Sequence, residues 1–159
     1  MSTIYLDNAA TTRVREEVVD KISSIIKNEY GNPSSTHSYG RSSKSLIESS
    51  RKEIADILNV KSSEIIFTSG GTEGDNMIIR NCVNNLGVSR IITTKIEHHA
   101  VTHTIDDLFS SSNIKVSYVK VLKSGHVDLN DLEEILKKSD EKSLVSLMHI
   151  NNEIGNITD

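Results

Sequence analysis

Glu64-Ile65-Ile66-Phe67-Thr68-Ser69-Gly70-Gly71-Thr72-Glu73-Gly74 is the stretch on which the fold turns. Its first five residues are a short apolar run rich in β-formers. Ser69-Gly70-Gly71 closes the run, and Thr72 opens a helical pattern that lasts to about Leu86. Strand, glycine turn, helix is the opening unit of an α/β layer. Working toward the C-terminus, the same alternation continues. Strands are expected at 90–94 (RIITT), 114–121 and 143–148 (SLVSLM), with helices at 99–110 and 128–138 between them. In the last helix Leu129, Leu132, Ile135 and Leu136 are expected to face inward, and Asp131, Glu133 and Glu134 lie near its start, where the helix dipole favours acids. Toward the N-terminus, Val14, Val18, Ile22, Ile25 and Ile26 recur at helical spacing, predicting an amphipathic helix over 14–28. A loop over 30–40 holds the only proline, Pro33, and a second helix spans 41–59. The order β-α-β-α-β-α-β predicts an α/β fold with a mostly parallel sheet flanked by helices.

Composition narrows the function. The 159 residues hold 36% hydrophobic side chains, eight glycines and one proline, which is too apolar for a disordered chain. Eighteen basic residues against 22 acidic ones give a formal charge of -4, with no basic run to grip nucleic acid. One cysteine, Cys82, cannot pair internally, and its mid-helix position reads as a small packing residue. No stretch is long and apolar enough to span a membrane, and MSTIYLDNAATT has neither the charged nor the apolar region of a secretory leader. A cytoplasmic location is the expectation. A strand at 143–148 should lead into a crossover helix and a further strand. The end at Asp159 therefore gives the expectation that the chain is the front part of a larger domain.

In open α/β sheets, ligands sit at the carboxyl ends of the strands. Three polar clusters are expected there. Ser69 to Gly74 offers backbone that a ligand can approach closely and a helix N-terminus suited to phosphate, with the Thr72 hydroxyl as an extra donor. It matches neither G-x-x-x-x-G-K-[ST] nor G-x-G-x-x-G, and a plain strand-to-helix turn with a threonine cap is the alternative. Lys95 to His99 carries His98, placed to stack on a ring or move a proton, with loop histidines as the alternative. His99 and His103 have metal-ligand spacing, but no third ligand cluster accompanies them, and no metal is expected. His149 to Glu153 carries the adjacent Asn151 and Asn152, whose amides can donate to a ligand oxygen or simply build a turn.

Five motifs occur in order: Tyr5-Leu6-Asp7-Asn8-Ala9-Ala10-Thr11-Thr12, Gly31-Asn32-Pro33-Ser34-Ser35-Thr36-His37, Phe67 to Asn76, Glu97-His98-His99-Ala100-Val101, and Met148 to Gly155. Together they resemble the N-terminal part of the cysteine desulfurases of the class V aminotransferase group, in the nitrogen-fixation/iron–sulfur-cluster branch. The resemblance covers essentially the whole chain. It implies a fold-type I transferase dependent on pyridoxal 5'-phosphate (PLP), with 1–13 as an N-terminal arm of the small domain and 14–159 as an incomplete large domain. It further implies a homodimer that converts L-cysteine to L-alanine. The sulfur stays on an enzyme cysteine as a persulfide, destined for an iron–sulfur scaffold or another sulfur acceptor, including tRNA thiolation.

By motif, Gly71 and Thr72 would hold the cofactor phosphate. His98 would cover the pyridine ring and act as acid or base, and Asn152 would bond the phenolic oxygen. The family's acid partner lies in a His-x-Asp-Ala-x-Gln segment, its cofactor-bearing lysine in a Ser-x-His-Lys segment, and its persulfide cysteine beyond these. None of those segments occurs in the chain, and neither Lys95, Lys120 and Lys123 nor Cys82 substitutes for them. The chain alone is therefore expected to be inactive. A non-catalytic remnant, one half of a split enzyme, or another class V lyase or aminotransferase are the alternatives.

Overall fold

A computed structural model describes residues 3–158; residues 1, 2 and 159, which the expected arm and large domain include, lie outside the described residues. The chain forms two compact units, Met1–Phe67 and Thr68–Asp159.

The second unit carries the sheet. Its elements are α3 (Gly71–Leu86), β1 (Arg90–Thr93), α4 (His99–Ser111), β2 (Lys115–Tyr118), α5 (Leu129–Lys137) and β3 (Ser143–Val145). The three strands are parallel in the order β2-β1-β3, with Ile91 opposite Val116 on one side and Leu144 on the other. β1 is buried along its whole length, as a central parallel strand must be when helices cover both faces. Successive residues therefore enter different cores. Ile91 packs with Ile79, Val101, Ile105 and Leu108 of α3 and α4. Ile92 packs with Val119 and Val127, backed by Leu132 and Ile135 of α5. Arg90 opens β1 almost fully buried, and its guanidinium is satisfied by Ser143 Oγ at 2.8 Å and the Ile135 carbonyl at 3.2 Å. Asp128 caps α5 by accepting from the amides of Asn130 and Asp131.

The first unit comprises α1 (Glu16–Asn28), α2 (Ser38–Leu58) and a 3₁₀ turn at Ser62–Glu64. α2 begins three residues before the predicted 41. His37 caps it, with Nδ1 accepting from the Gly40 amide at 3.3 Å. The loop before it is built on backbone contact. A Cβ on Gly31 would lie 2.3 Å from the Tyr39 carbonyl oxygen, and one on Gly40 would lie 2.4 Å from that of Ser35.

The sheet corrects one expectation. Residues 64–68 do not form a strand. Glu64 closes the 3₁₀ turn and Ile65 to Thr68 run without regular structure. A strand exists only by pairing, and the Ile65 carbonyl accepts instead from Arg51 Nη1 at 2.6 Å, while the guanidinium lies 4.8 Å over the Phe67 ring. Three strands are therefore present among the described residues where four were expected. The outer two are shorter than predicted: β2 ends at Tyr118, and β3 at Val145.

Candidate functional site

Two of the predicted clusters converge. Thr72, Asn76 and Arg80, each about one turn apart on α3, line a cleft of 280 Å³ together with His98, His99 and His103 from the start of α4. Asn76 joins the walls: its Nδ2 donates to the Thr72 carbonyl at 2.9 Å and to the Ala100 carbonyl at 3.5 Å. Arg80 pairs with Asp107 of α4 at 2.8 Å.

Gly71 begins α3, and Gly70 caps it with no side chain to accept from the first-turn amides. Neither glycine is explained from within the chain. Gly70 has the extended φ of 171°, open to any residue, and neither glycine is among those with positive φ. A Cβ on either one would meet nothing within 4 Å. The space before them is an open cradle at the positive end of a 16-residue helix. Glu73 folds back onto this turn, with Oε2 accepting from the Ser69 amide at 2.6 Å; that hydrogen bonding holds its carboxyl below the usual carboxylate range.

His98 is the N-cap of α4. Its Nδ1 accepts from the Ala100 amide at 3.1 Å, which fixes the ring and leaves Nε2 as the outward nitrogen. Asn152 lies elsewhere, exposed in the turn after β3 and outside the lining of the cleft. Its neighbour Asn151 is structural and only 6% exposed. Asn151 Nδ2 donates to the Ile96 carbonyl at 2.8 Å, while its Oδ1 accepts from the amides of Glu153 and Ile154. Of the paired asparagines, Asn151 thus builds the turn.

Sequence reasoning missed Glu97. Its Oε1 accepts from Thr94 Oγ1 at 2.7 Å and from the Met148 amide at 3.0 Å. Together with the Asn151–Ile96 bond, this ties the segment before His98 to the segment before Asn152. No local signal marked it, since the bond to Met148 reaches 51 residues along the chain.

Lys120 is held to Asp131 at 2.9 Å, and that hydrogen-bonded pair raises the ammonium above its ordinary range. Lys95 lies 5.8 Å over the Tyr118 ring. Cys82 packs beside the core formed by α3 and α4. No described helix is long and apolar enough to cross a membrane.

A parallel sheet with helices on both faces, and open backbone at the start of one of those helices, defines an α/β layer. The chain belongs to the class V aminotransferase family, whose model (Aminotransferase class-V) matches residues 4–159. It is 44% identical over 159 residues to the cysteine desulfurase IscS of Dictyoglomus turgidum, covering 97% of this chain and 39% of that protein. A solved NifS-like protein superposes with a TM-score of 0.87 at 40% identity, covering 95% of this chain and 41% of the other. SspA, solved in complex with cysteine, gives a TM-score of 0.87 at 30% identity, covering 98% of this chain and 45% of the other. The chain thus spans about 40% of the length of the curated relatives it matches.

Proposed function

We propose that this chain supplies the phosphate-cradling and ring-covering part of a PLP site in a cysteine desulfurase. The carrying observation is Gly70-Gly71. Neither conformation nor crowding within the chain calls for glycine there, whereas an anion brought against the first-turn amides of α3 does. The class V aminotransferases are PLP enzymes. Gly71 and Thr72 bind the phosphate, Thr72 adding a hydroxyl to the amides. His98, across the cleft, offers a ring face for stacking and Nε2 for proton movement. Asn152 offers its amide to the cofactor's phenolic oxygen, and Glu97 and Asn151 hold its loop to that of His98.

The cofactor, when bound, supplies an electron sink for bond breaking at the substrate α-carbon. The substrate is L-cysteine, on the likeness to relatives named cysteine desulfurase and to a protein solved with cysteine. The products are alanine and a persulfide sulfur passed to an iron–sulfur scaffold or another acceptor by a cytoplasmic homodimer of the complete enzyme. Residues 14–159 belong to its large domain and 1–13 to its arm. The cofactor-bearing lysine, its acid partner and the sulfur-carrying cysteine are contributed by segments that these 159 residues do not contain.

The test titrates the tag-free chain with PLP and then treats it with borohydride. Reversible binding is expected, weakened by Gly71→Val, Thr72→Val and His98→Ala, with no lysine labelled in stoichiometric amount. Equal binding by all variants overturns the site, and a single reducible lysine overturns the division of labour. Adding the complementary segment of the Dictyoglomus relative in trans should give alanine from cysteine; cysteine left unchanged by a complex that has assembled overturns the activity.

A further inference from the structure

His99 and His103 stand one turn apart on the exposed face of α4, with ring centroids 5.0 Å apart and planes inclined by 30°. Among the described residues, no hydrogen bond engages either imidazole. A borderline divalent ion binds imidazole nitrogen at about 2.0–2.1 Å, which places each ring centroid about 3.2 Å from the ion; two such rings at about 90–110° are then about 4.5–5.3 Å apart. The observed separation falls inside that window. His98 lies outside it, at 6.2 Å from His99, and its Nδ1 is committed to Ala100. Arg80, which lines the same cleft, is paired with Asp107 one turn beyond His103, which lowers the repulsion an incoming ion would meet.

We propose that His99 and His103 form a two-nitrogen chelate for a borderline divalent ion such as Zn²⁺ or Cu²⁺, with water completing the coordination. Two imidazoles without a carboxylate exclude Mg²⁺ and Ca²⁺, which require oxygen ligands, and rank Cu²⁺ above Zn²⁺. A closed centre is not built here, since no group of three or more His, Cys, Asp or Glu among the described residues could hold a metal. The site is an open one on the rim of the cleft. Its existence does not depend on the PLP assignment, because neither histidine is given a cofactor role.

The experiment is calorimetric titration of the tag-free 159-residue chain with ZnCl₂, CuCl₂ and MgCl₂. One Zn²⁺ or Cu²⁺ per chain is expected, with Cu²⁺ tighter and Mg²⁺ silent. Losing one ligand should weaken binding by more than the ~10–100-fold typical of losing an outer partner. His99→Ala, His103→Ala and the double variant should therefore be equally impaired, because either loss destroys the chelate. His126→Ala, outside the lining of the cleft, should bind as the parent does. Cu²⁺ electron paramagnetic resonance should show two nitrogen donors. Binding unchanged in the double variant overturns the proposal, as do loss on removing His126 instead and silence toward all three ions. Circular dichroism of each variant separates lost ligation from lost fold, and His103→Gln repeats the test with a side chain nearer in size.

Discussion

α1 and α4 are both 13 residues long, both amphipathic, and differently used. α4 buries Ala100, Val101, Thr104, Ile105 and Leu108. α1 buries nothing, leaving Val18, Val19, Ile22 and Ile26 exposed. Periodicity specifies that a helix has an apolar face; it does not specify what meets that face. α4 is fixed by a strand on either side of it in sequence, both part of the same small sheet, whereas α1 has no such neighbours within its unit.

The sharpest way to break this contrast is truncation inside each stripe. Ile105 is fully buried, so Ile105→Ala should lower stability by about 2–5 kcal/mol in urea unfolding. Ile22→Ala should change it by less than ~0.5 kcal/mol. An equal loss at both sites would mean that α1 is packed in solution.

Gly40→Ala probes a place where the first unit is tightly packed. The new methyl would press on the backbone of Asn32 and Ser35, at a cost of about 1–3 kcal/mol, read as a fall in melting temperature.

Helix ends sharpen the comparison further. Asp128→Ala removes the two-amide cap of α5 and should cost about 0.5–2 kcal/mol, whereas Arg15, the N-cap of α1, makes no side-chain cap bond, so Arg15→Ala should be silent in the same unfolding curve.

The smallest effect is in acid. Asp131 is lowered by its hydrogen bonds with Lys120, and Glu141 by its hydrogen bond with Lys115. A carboxylate whose native pKa lies below its unfolded value adds stability that is present above the unfolded pKa and lost as pH falls through the native one. Both belong to the second unit, so Asp131→Asn should flatten the acid limb of its stability profile slightly, because solvent screens these pairs.

These contrasts also mark what the sequence could disclose. Six helix and strand positions in 71–145 were readable because local pattern and tertiary use agree: Ile91 and Ile92 adjoin in an apolar run and enter two different cores. Glu64 to Thr68 misled because its β-propensity is real but its hydrogen-bond partner is Arg51, and propensity says nothing of partners. At the candidate site, His98 was legible as a polar residue after a strand, whereas Thr72 was read from a strand at 64–68 that does not form; the two share a cleft all the same. Glu97 and Asn151 were not, because bonds spanning 51 and 55 residues of sequence have no local signature.

Arg51 has a consequence for how the chain behaves in a crowded solution. Ile65-Ile66-Phe67 is a short, uncharged, β-prone run, the composition from which self-templating fibrils start. The guanidinium claims one of its carbonyls and covers one face of its aromatic ring. A second chain arriving edge-on therefore meets a positive charge where it would need an acceptor. One arginine, 14 residues upstream, is thus placed as a gatekeeper for this segment.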